Sequence, residues 1–153
     1  MERISEHISY REAIKSNTAM RLDIDNTPDP YEITNMHGVA NNIFEPLREW
    51  VGGPIKINSF FRCTDLNRAI GGSNRSQHCQ GRAIDIDDTY RFKTNAEMYT
   101  YIKDNLDFDQ LIWEFGSDIN PDWVHASYVS ANENRRRCLK AKRKHGKAVY
   151  SII

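Results

Sequence analysis

The chain has 153 residues, of which 39% are hydrophobic and 10% aromatic, and its 21 basic and 21 acidic residues cancel to a net charge of zero. This length allows one domain with a substantial core. No apolar run approaches the roughly 20 residues that cross a bilayer, so we expect no transmembrane segment.

The first 34 residues are expected to form an irregular N-terminal lead-in. Residues 1–7 are polar and lack the apolar core of a secretory signal. Ser9-Tyr10-Arg11-Glu12 matches a capping box, which predicts a short helix from Tyr10 to about Ser16. Residues 17–34 contain prolines and asparagine-rich turns, and we expect no regular structure there.

A long helix is predicted next, from about Asn35 to Trp50, because apolar residues recur there at helical spacing. Pro46 should kink this helix, since proline removes a backbone donor and clashes with the preceding turn. Gly52-Gly53 should end it.

The remaining chain alternates between predicted strands and helices. The strands are 55–60, 83–87, 110–115, 123–129 and 148–153, and the helices are 64–70 and 94–105. Helices come first and strands cluster later. This order predicts an α+β domain with a mainly antiparallel sheet flanked by helices.

Three residues in two short motifs could bind a metal ion. His78 and Asp85 lie in Ser76-Gln77-His78-Cys79-Gln80-Gly81-Arg82-Ala83-Ile84-Asp85, and His125 lies in Asp122-Trp123-Val124-His125. Two histidines and an aspartate can occupy three corners of a zinc tetrahedron. The open fourth corner is typical of a catalytic zinc rather than a structural one.

These motifs resemble those of the zinc D-Ala-D-Ala carboxypeptidases and L-Ala-D-Glu endopeptidases, the LAS-type peptidoglycan peptidases. That family carries Ser-x-His-x-x-Gly-x-Ala-x-Asp followed by Glu- or Asp-x-x-His, and this chain matches every fixed position. Ser59-Phe60-Phe61-Arg62 resembles an upstream family element. The resemblance runs from about Ile8 to the C-terminus and implies a hedgehog/DD-peptidase-like fold.

The resemblance implies a zinc site formed by His78, Asp85 and His125, with Asp122 as the general base. A carboxylate beside zinc-activated water can take its proton and pass it to the leaving amine. Glu114, in the neighbouring strand segment Ile112-Trp113-Glu114, is the rival for that role. Asp87 competes with Asp85 as a ligand, and the family pattern favours Asp85.

Four further residues are expected to contact substrate. Arg62 follows a strand end and could polarise the scissile carbonyl or hold a substrate carboxylate, so we assign it catalytic and binding roles. The other three expected contacts are Ser76, Gln77 and Trp123.

A basic segment closes the chain, with eight arginines and lysines and no acid between Arg135 and Lys147. Such a segment can recruit an anionic cell-wall polymer, which we favour over nucleic acid, or it can be a solvated ribbon. Three cysteines cannot all pair within one chain, and we expect reduced thiols.

The predicted function is zinc-dependent hydrolysis of peptidoglycan stem peptides, of the D-Ala-D-Ala carboxypeptidase or endopeptidase type. One alternative is an L-Ala-D-Glu endopeptidase of the endolysin kind. Another is a non-catalytic, zinc-stabilised virion or wall-binding module. We expect cytoplasmic synthesis, and action on the wall after release or as a virion component, which would fit a phage product.

Overall fold

The computed structural model describes residues 2–153 and begins with short elements. Strands β1 (Arg3–Ser5) and β2 (Ile8–Ser9) form a small hairpin, followed by helices α1 (Tyr10–Ile14) and α2 (Asn17–Arg21). Helix α2 lies in a segment that we expected to be irregular. Its N-terminus is capped by the Ser16 hydroxyl, which accepts a hydrogen bond from the Ala19 N–H at 3.1 Å.

Three helical segments run without interruption from Pro30 to Val51. They are helix α3 (Pro30–Val39), a π-helical turn (Ala40–Phe44) and helix α4 (Glu45–Val51). Helix α3 begins earlier than the sequence predicts, because Asp29 and Glu32 form a capping box there. The π turn directly precedes the site of the predicted kink at Pro46. Its wider winding accommodates a ring that would otherwise clash with the preceding turn.

The other elements follow the predicted order. They are β3 (Lys56–Ser59), α5 (Thr64–Ala69), a 3₁₀ turn (Gln77–Gln80), β4 (Ala83–Asp87), α6 (Asn95–Asn105), β5 (Gln110–Glu114), β6 (Trp123–Ser127), β7 (Arg137–Lys144) and β8 (Lys147–Ile152). Strand β7 was not predicted. It lies in the basic segment, which is therefore part of the sheet.

Strands β3 to β8 form one sheet in the order β3-β4-β6-β5-β7-β8. Every neighbouring pair is antiparallel except β5 and β7, which run parallel. The predicted α+β class with a mainly antiparallel sheet is confirmed. Among residues 2–153, no helix is both long and apolar enough to cross a membrane.

The main core lies between the helices and one face of this sheet. Alternation places Ile84, Ile86, Val124 and Ala126 on that face, where they pack with apolar residues of α3, α4 and α6. Asp85 and His125 therefore point to the opposite face. This division of the two faces positions the candidate site.

Candidate metal centre

The sheet register places two polar residues side by side on the face opposite the main core. Asp85 on β4 lies directly across from His125 on β6. The Nδ1 atom of His125 is 3.0 Å from Oδ1 of Asp85. His78, from the 3₁₀ turn before β4, approaches the same carboxylate, with its Nε2 atom 3.2 Å from Oδ2. One ligand atom from each of the three residues lies within 4.8 Å of the others.

A hydrogen bond at one ring nitrogen orients the imidazole of His78 and leaves the other nitrogen available to a metal ion. Its Nδ1 atom is 2.7 Å from the backbone carbonyl of Phe60, and a carbonyl can only accept, so Nδ1 carries the hydrogen. Its Nε2 atom is buried and has no hydrogen-bond partner among residues 2–153, despite its proximity to Asp85. A backbone bond to one ring nitrogen orients the other for metal binding.

The charges of this group suit a cation. Burial lowers the pKa of His78 and so favours the neutral imidazole, which is the form that binds metals. Burial would raise the pKa of Asp85, but the proximity of His78 and the hydrogen bond from His125 hold that pKa well below its ordinary value. An ionised carboxylate and an unpartnered imidazole nitrogen fit zinc, which prefers such nitrogen and oxygen ligands.

Gly81 allows His78 and Asp85 to converge. Its φ of +72° is favourable for glycine, and it ends the 3₁₀ turn just before β4. A Cβ atom there would overlap the carbonyl oxygen of Glu32 in α3. The backbone of this loop therefore packs directly on the helix behind it.

A pocket of about 830 Å³ opens over the three residues. The other residues that the sequence singled out and that line this pocket are Arg62, Ser76, Gln77, Trp123 and Glu114. The structure thus brings all but one of the predicted site residues to one cavity. The exception is Asp122.

Asp122 has an exposed side chain and does not line the pocket. Its backbone N–H donates to the carbonyl of Glu114 at 2.9 Å. Strand β6 begins at the next residue, Trp123, which lines the pocket together with His125.

Glu114 lines the same pocket as the three ligand residues. It lies on β5 opposite Trp123, is only 6% exposed, and lines the pocket together with His125. Burial, which is the largest effect, raises the pKa of Glu114 to about 7, and the nearby charge of His125 opposes that rise. A carboxyl group with such a pKa can accept and release protons near neutral pH.

Arg62 contacts the loop that carries His78. Its N–H donates to the His78 carbonyl at 3.2 Å, and its Nη2 donates to the Ser76 hydroxyl at 3.3 Å. Its Nε atom is buried without a partner among residues 2–153. This arginine therefore retains an unused donor beside the pocket.

Asp87, the rival ligand, is engaged elsewhere. Its two carboxylate oxygens accept hydrogen bonds from Asn95 Nδ2 and Thr89 Oγ1, both at 2.8 Å. Of the two acids on β4, only Asp85 lines the pocket.

Two features of the pocket went unrecognised in the sequence. Asp109, in the loop before β5, is buried and binds both Gln77 and Arg135. Arg135 and Arg137 line the pocket, whereas the sequence left their segment as either a surface that recruits a polymer or a solvated ribbon. Only the pairing of β7 with β5 shows this placement, because no local motif marks it.

Comparison with known proteins agrees with this arrangement. The family model described as Peptidase M15 matches residues 6–127. The match includes His78, Asp85, Glu114 and His125, and it ends before β7. No curated protein matches the chain.

Proposed function

We propose that this chain, which belongs to the peptidase M15 family, hydrolyses stem peptides of peptidoglycan. It is therefore a metallopeptidase, and its family is generally zinc-dependent and acts on peptidoglycan. The bond we favour is of the D-Ala-D-Ala type, cut as a carboxypeptidase or an endopeptidase. The observation that carries the proposal is a buried carboxyl, Glu114, in the same pocket as the three clustered ligand atoms.

His78, Asp85 and His125 would hold the zinc ion. When bound, zinc supplies Lewis-acid activation of the scissile carbonyl and of the attacking water. The Phe60 carbonyl keeps His78 in the required tautomer.

Glu114 is the proposed general base. Its carboxyl group lines the pocket, and burial raises its pKa to about 7 in the metal-free protein. It can therefore take a proton from water and later return it to the leaving amine. Asp122, which the sequence favoured, has an exposed side chain outside the pocket lining and would act only if its loop moved.

Arg62 and Ser76 are proposed to orient the substrate. The Ser76 hydroxyl accepts from Arg62 Nη2, which leaves other guanidinium donors for a substrate oxygen. Such a donor would stabilise charge that develops on the carbonyl oxygen. Gln77 and Trp123, also in the lining, would contact the peptide on either side.

A non-catalytic wall-binding module is the second candidate, since a bound zinc could serve stability alone. The structure offers an argument against it. Burying a carboxyl group in a pocket destabilises the ionised form, and a binding module gains nothing from that. A base near zinc does require such a group.

An L-Ala-D-Glu endopeptidase remains the alternative within the same chemistry. The three ligands and Glu114 would serve either bond, because specificity is determined by the contacts around them. We further propose that residues 1–153 act as one zinc peptidase domain at the cell wall, where this substrate lies.

One experiment tests both activity and bond. Zinc-loaded protein is incubated with purified muropeptides, and the products are weighed by mass spectrometry. Loss of the mass of one alanine residue identifies removal of a terminal alanine, and an internal cut gives two peptide fragments. Glu114→Gln protein serves as the control, and no product from the zinc-loaded parent protein would reject the proposal.

A further inference from the structure

The pocket contains more positive charge than the proposed hydrolysis requires. Four arginines line it, whereas the acids in its lining are Asp85 and Glu114. The arginines are Arg62, Arg75, Arg135 and Arg137. Asp109 neutralises Arg135 from behind, which leaves the charges of the other three arginines without a salt bridge among residues 2–153. Such excess charge in a concave site focuses the electric field and attracts a ligand of opposite sign.

Arg135 is held rigidly at the rim of this pocket by Asp109. Its Nε and Nη2 atoms donate to the two carboxylate oxygens at 3.0 and 2.8 Å, and its backbone N–H donates to Oδ1 at 3.0 Å. Gln77 Nε2 donates to Oδ2 at 2.9 Å. Asp109 is only 2% exposed, so this anchor lies behind the pocket surface.

The anchor leaves one edge of the Arg135 guanidinium free. A guanidinium has five N–H donors, and Asp109 uses those on the Nε side. The Nη1 donors remain, on a group that is about half exposed. A planar group fixed in this way is prepared to bind a carboxylate without further loss of side-chain freedom.

The side chain of Arg137, two residues later, has no hydrogen-bond partner among residues 2–153. It forms no salt bridge with any of residues 2–153, yet it lines the same pocket. Alternation along β7 places Arg137, Leu139 and Ala141 on the pocket face, where Leu139 and Ala141 pack with Ile112.

The sheet register gives the distance from this arginine to the ligand cluster. Arg137 pairs with Gln110 on β5, and His125 pairs with Ile112, two residues further along β5. Two strand spacings and two residue rises put the Arg137 and His125 backbones about 12 Å apart. An extended peptide covers that span with about three to four residues.

We propose that Arg135 and Arg137 form a carboxylate subsite, which fixes an acidic peptide substrate at a side-chain carboxylate away from the scissile bond. This inference rests on the proposed peptidase function, and it names a determinant of specificity separate from Arg62. Both arginines lie beyond the part of the chain that matches the family.

The neighbouring cations in the basic segment have different positions. Arg136 donates to the carbonyls of Leu106 and Lys103 at the end of α6. Lys142 lies on β7 but on the face opposite Arg137, is exposed, and does not line the pocket. Lys142 is therefore a matched control for charge removal on the same strand.

The test measures binding and cleavage separately. The probe is the peptidoglycan stem peptide, prepared with its internal carboxylates free or converted to carboxamides. Calorimetry with zinc-loaded Glu114→Gln protein should show at least about tenfold tighter binding of the free acid, the scale of one charge-assisted hydrogen bond. Arg137→Gln should abolish that preference, Arg137→Lys should keep part of it, and Lys142→Gln should leave it unchanged.

Steady-state kinetics of the parent protein complete the test. The carboxamide form should raise KM with little change in kcat, because the contact is present before and during the reaction. Equal binding of the two forms, or no binding of either, would overturn the subsite. A binding preference that depends on Arg137, without cleavage by the parent, would uphold the subsite and reject the peptidase function.

Discussion

Glu114 and Asp122 are joined by a backbone hydrogen bond, from the Asp122 N–H to the Glu114 carbonyl at 2.9 Å. Their side chains nevertheless lie in different environments. Glu114 is buried in the pocket, whereas Asp122 is exposed outside it. The roles of these two acids, which are adjacent across the sheet, can therefore be distinguished by substituting each one separately.

Glu114→Gln should lower kcat by roughly 10²-fold or more, the scale of general-base catalysis. The amide keeps the size of the side chain but cannot accept a proton at neutral pH. Zinc content should be unchanged. Asp122→Asn is the matched control and should stay within a few-fold of the parent rate. The reverse result, an inactive Asp122→Asn with an active Glu114→Gln, would return the base to Asp122.

Glu114 should also make the stability of the metal-free protein depend on pH. Its folded-state pKa of about 7 is above the ordinary 4.5, so the folded protein holds the proton more tightly than the unfolded chain. The free energy of unfolding should therefore fall as pH rises from about 4.5 to about 7. Glu114→Gln removes this contribution and should be more stable than the parent by about 3 kcal/mol at pH 8, but by little at pH 4.5.

Urea unfolding in the presence of a chelator measures this difference. Comparing the variant with the parent at each pH cancels the contributions of the other titrating groups. A difference that is the same at pH 4.5 and pH 8 would show that the Glu114 carboxyl is not perturbed in the folded protein.

Metal analysis should find about one zinc per chain, as expected for one three-ligand site. His125→Ala and His78→Ala should each remove most of it. His7→Ala is the control, since His7, Glu6 and Glu45 form a second cluster of ligand-type residues. Both Glu45 oxygens already accept hydrogen bonds from Ser5 and His7, so we expect no zinc there. Two zinc ions per chain, one lost with His7, would contradict this.

Gly81→Ala should be far more destabilising than Gly146→Ala. Both glycines have positive φ, at +72° and +77°, and alanine at such a backbone costs about 1–2 kcal/mol. A Cβ at Gly146 meets nothing within 4 Å, whereas one at Gly81 overlaps Glu32 in α3. We expect a Tm decrease of roughly 3–5 °C for Gly146→Ala and at least twice that for Gly81→Ala. Equal decreases would show that the Gly81 loop can move away from α3.

The lysines that face away from the pocket allow a test of polymer recruitment. If Lys142, Lys144 and Lys147 hold an anionic wall polymer, replacing them with glutamine should weaken activity on whole sacculi at low salt. Added salt should have the same effect, because exposed charges are screened beyond about 8 Å at physiological ionic strength. Cleavage of a soluble muropeptide should not change. Equal rates on sacculi for variant and parent would favour the solvated-ribbon interpretation.

Local pattern predicted most of the elements. Strict alternation in residues 83–87 predicted β4 with the bounds that the structure shows, and it placed Asp85 on the polar face. The capping box at Thr94 predicted the start of α6 to within one residue. Because these signals depend only on neighbouring residues, the sequence was sufficient to predict both elements.

The remaining features depend on contacts between distant parts of the chain. Strand β7 has only Leu139 and Ala141 as buried apolar residues among many cations, and its partner β5 is parallel to it, so neither composition nor a hairpin signal marks it. The choice between Glu114 and Asp122 depended on which of the two side chains the folded sheet buries in the pocket. Asp109 is a single acid in a loop, and only its burial distinguishes it from others.

The parallel pairing of β5 with β7 separates two tasks along the chain. The family match ends at residue 127 and so includes the three ligand residues and Glu114, whereas Arg137 and Tyr150 complete the pocket from the hairpin of β7 and β8, and Arg135 from the loop before it. On the proposed carboxylate subsite, exchanging this C-terminal part between homologous chains should redirect substrate choice and leave the ligand cluster intact. The proposal thereby predicts that substrate preference can diverge within the family without any change in the metal ligands.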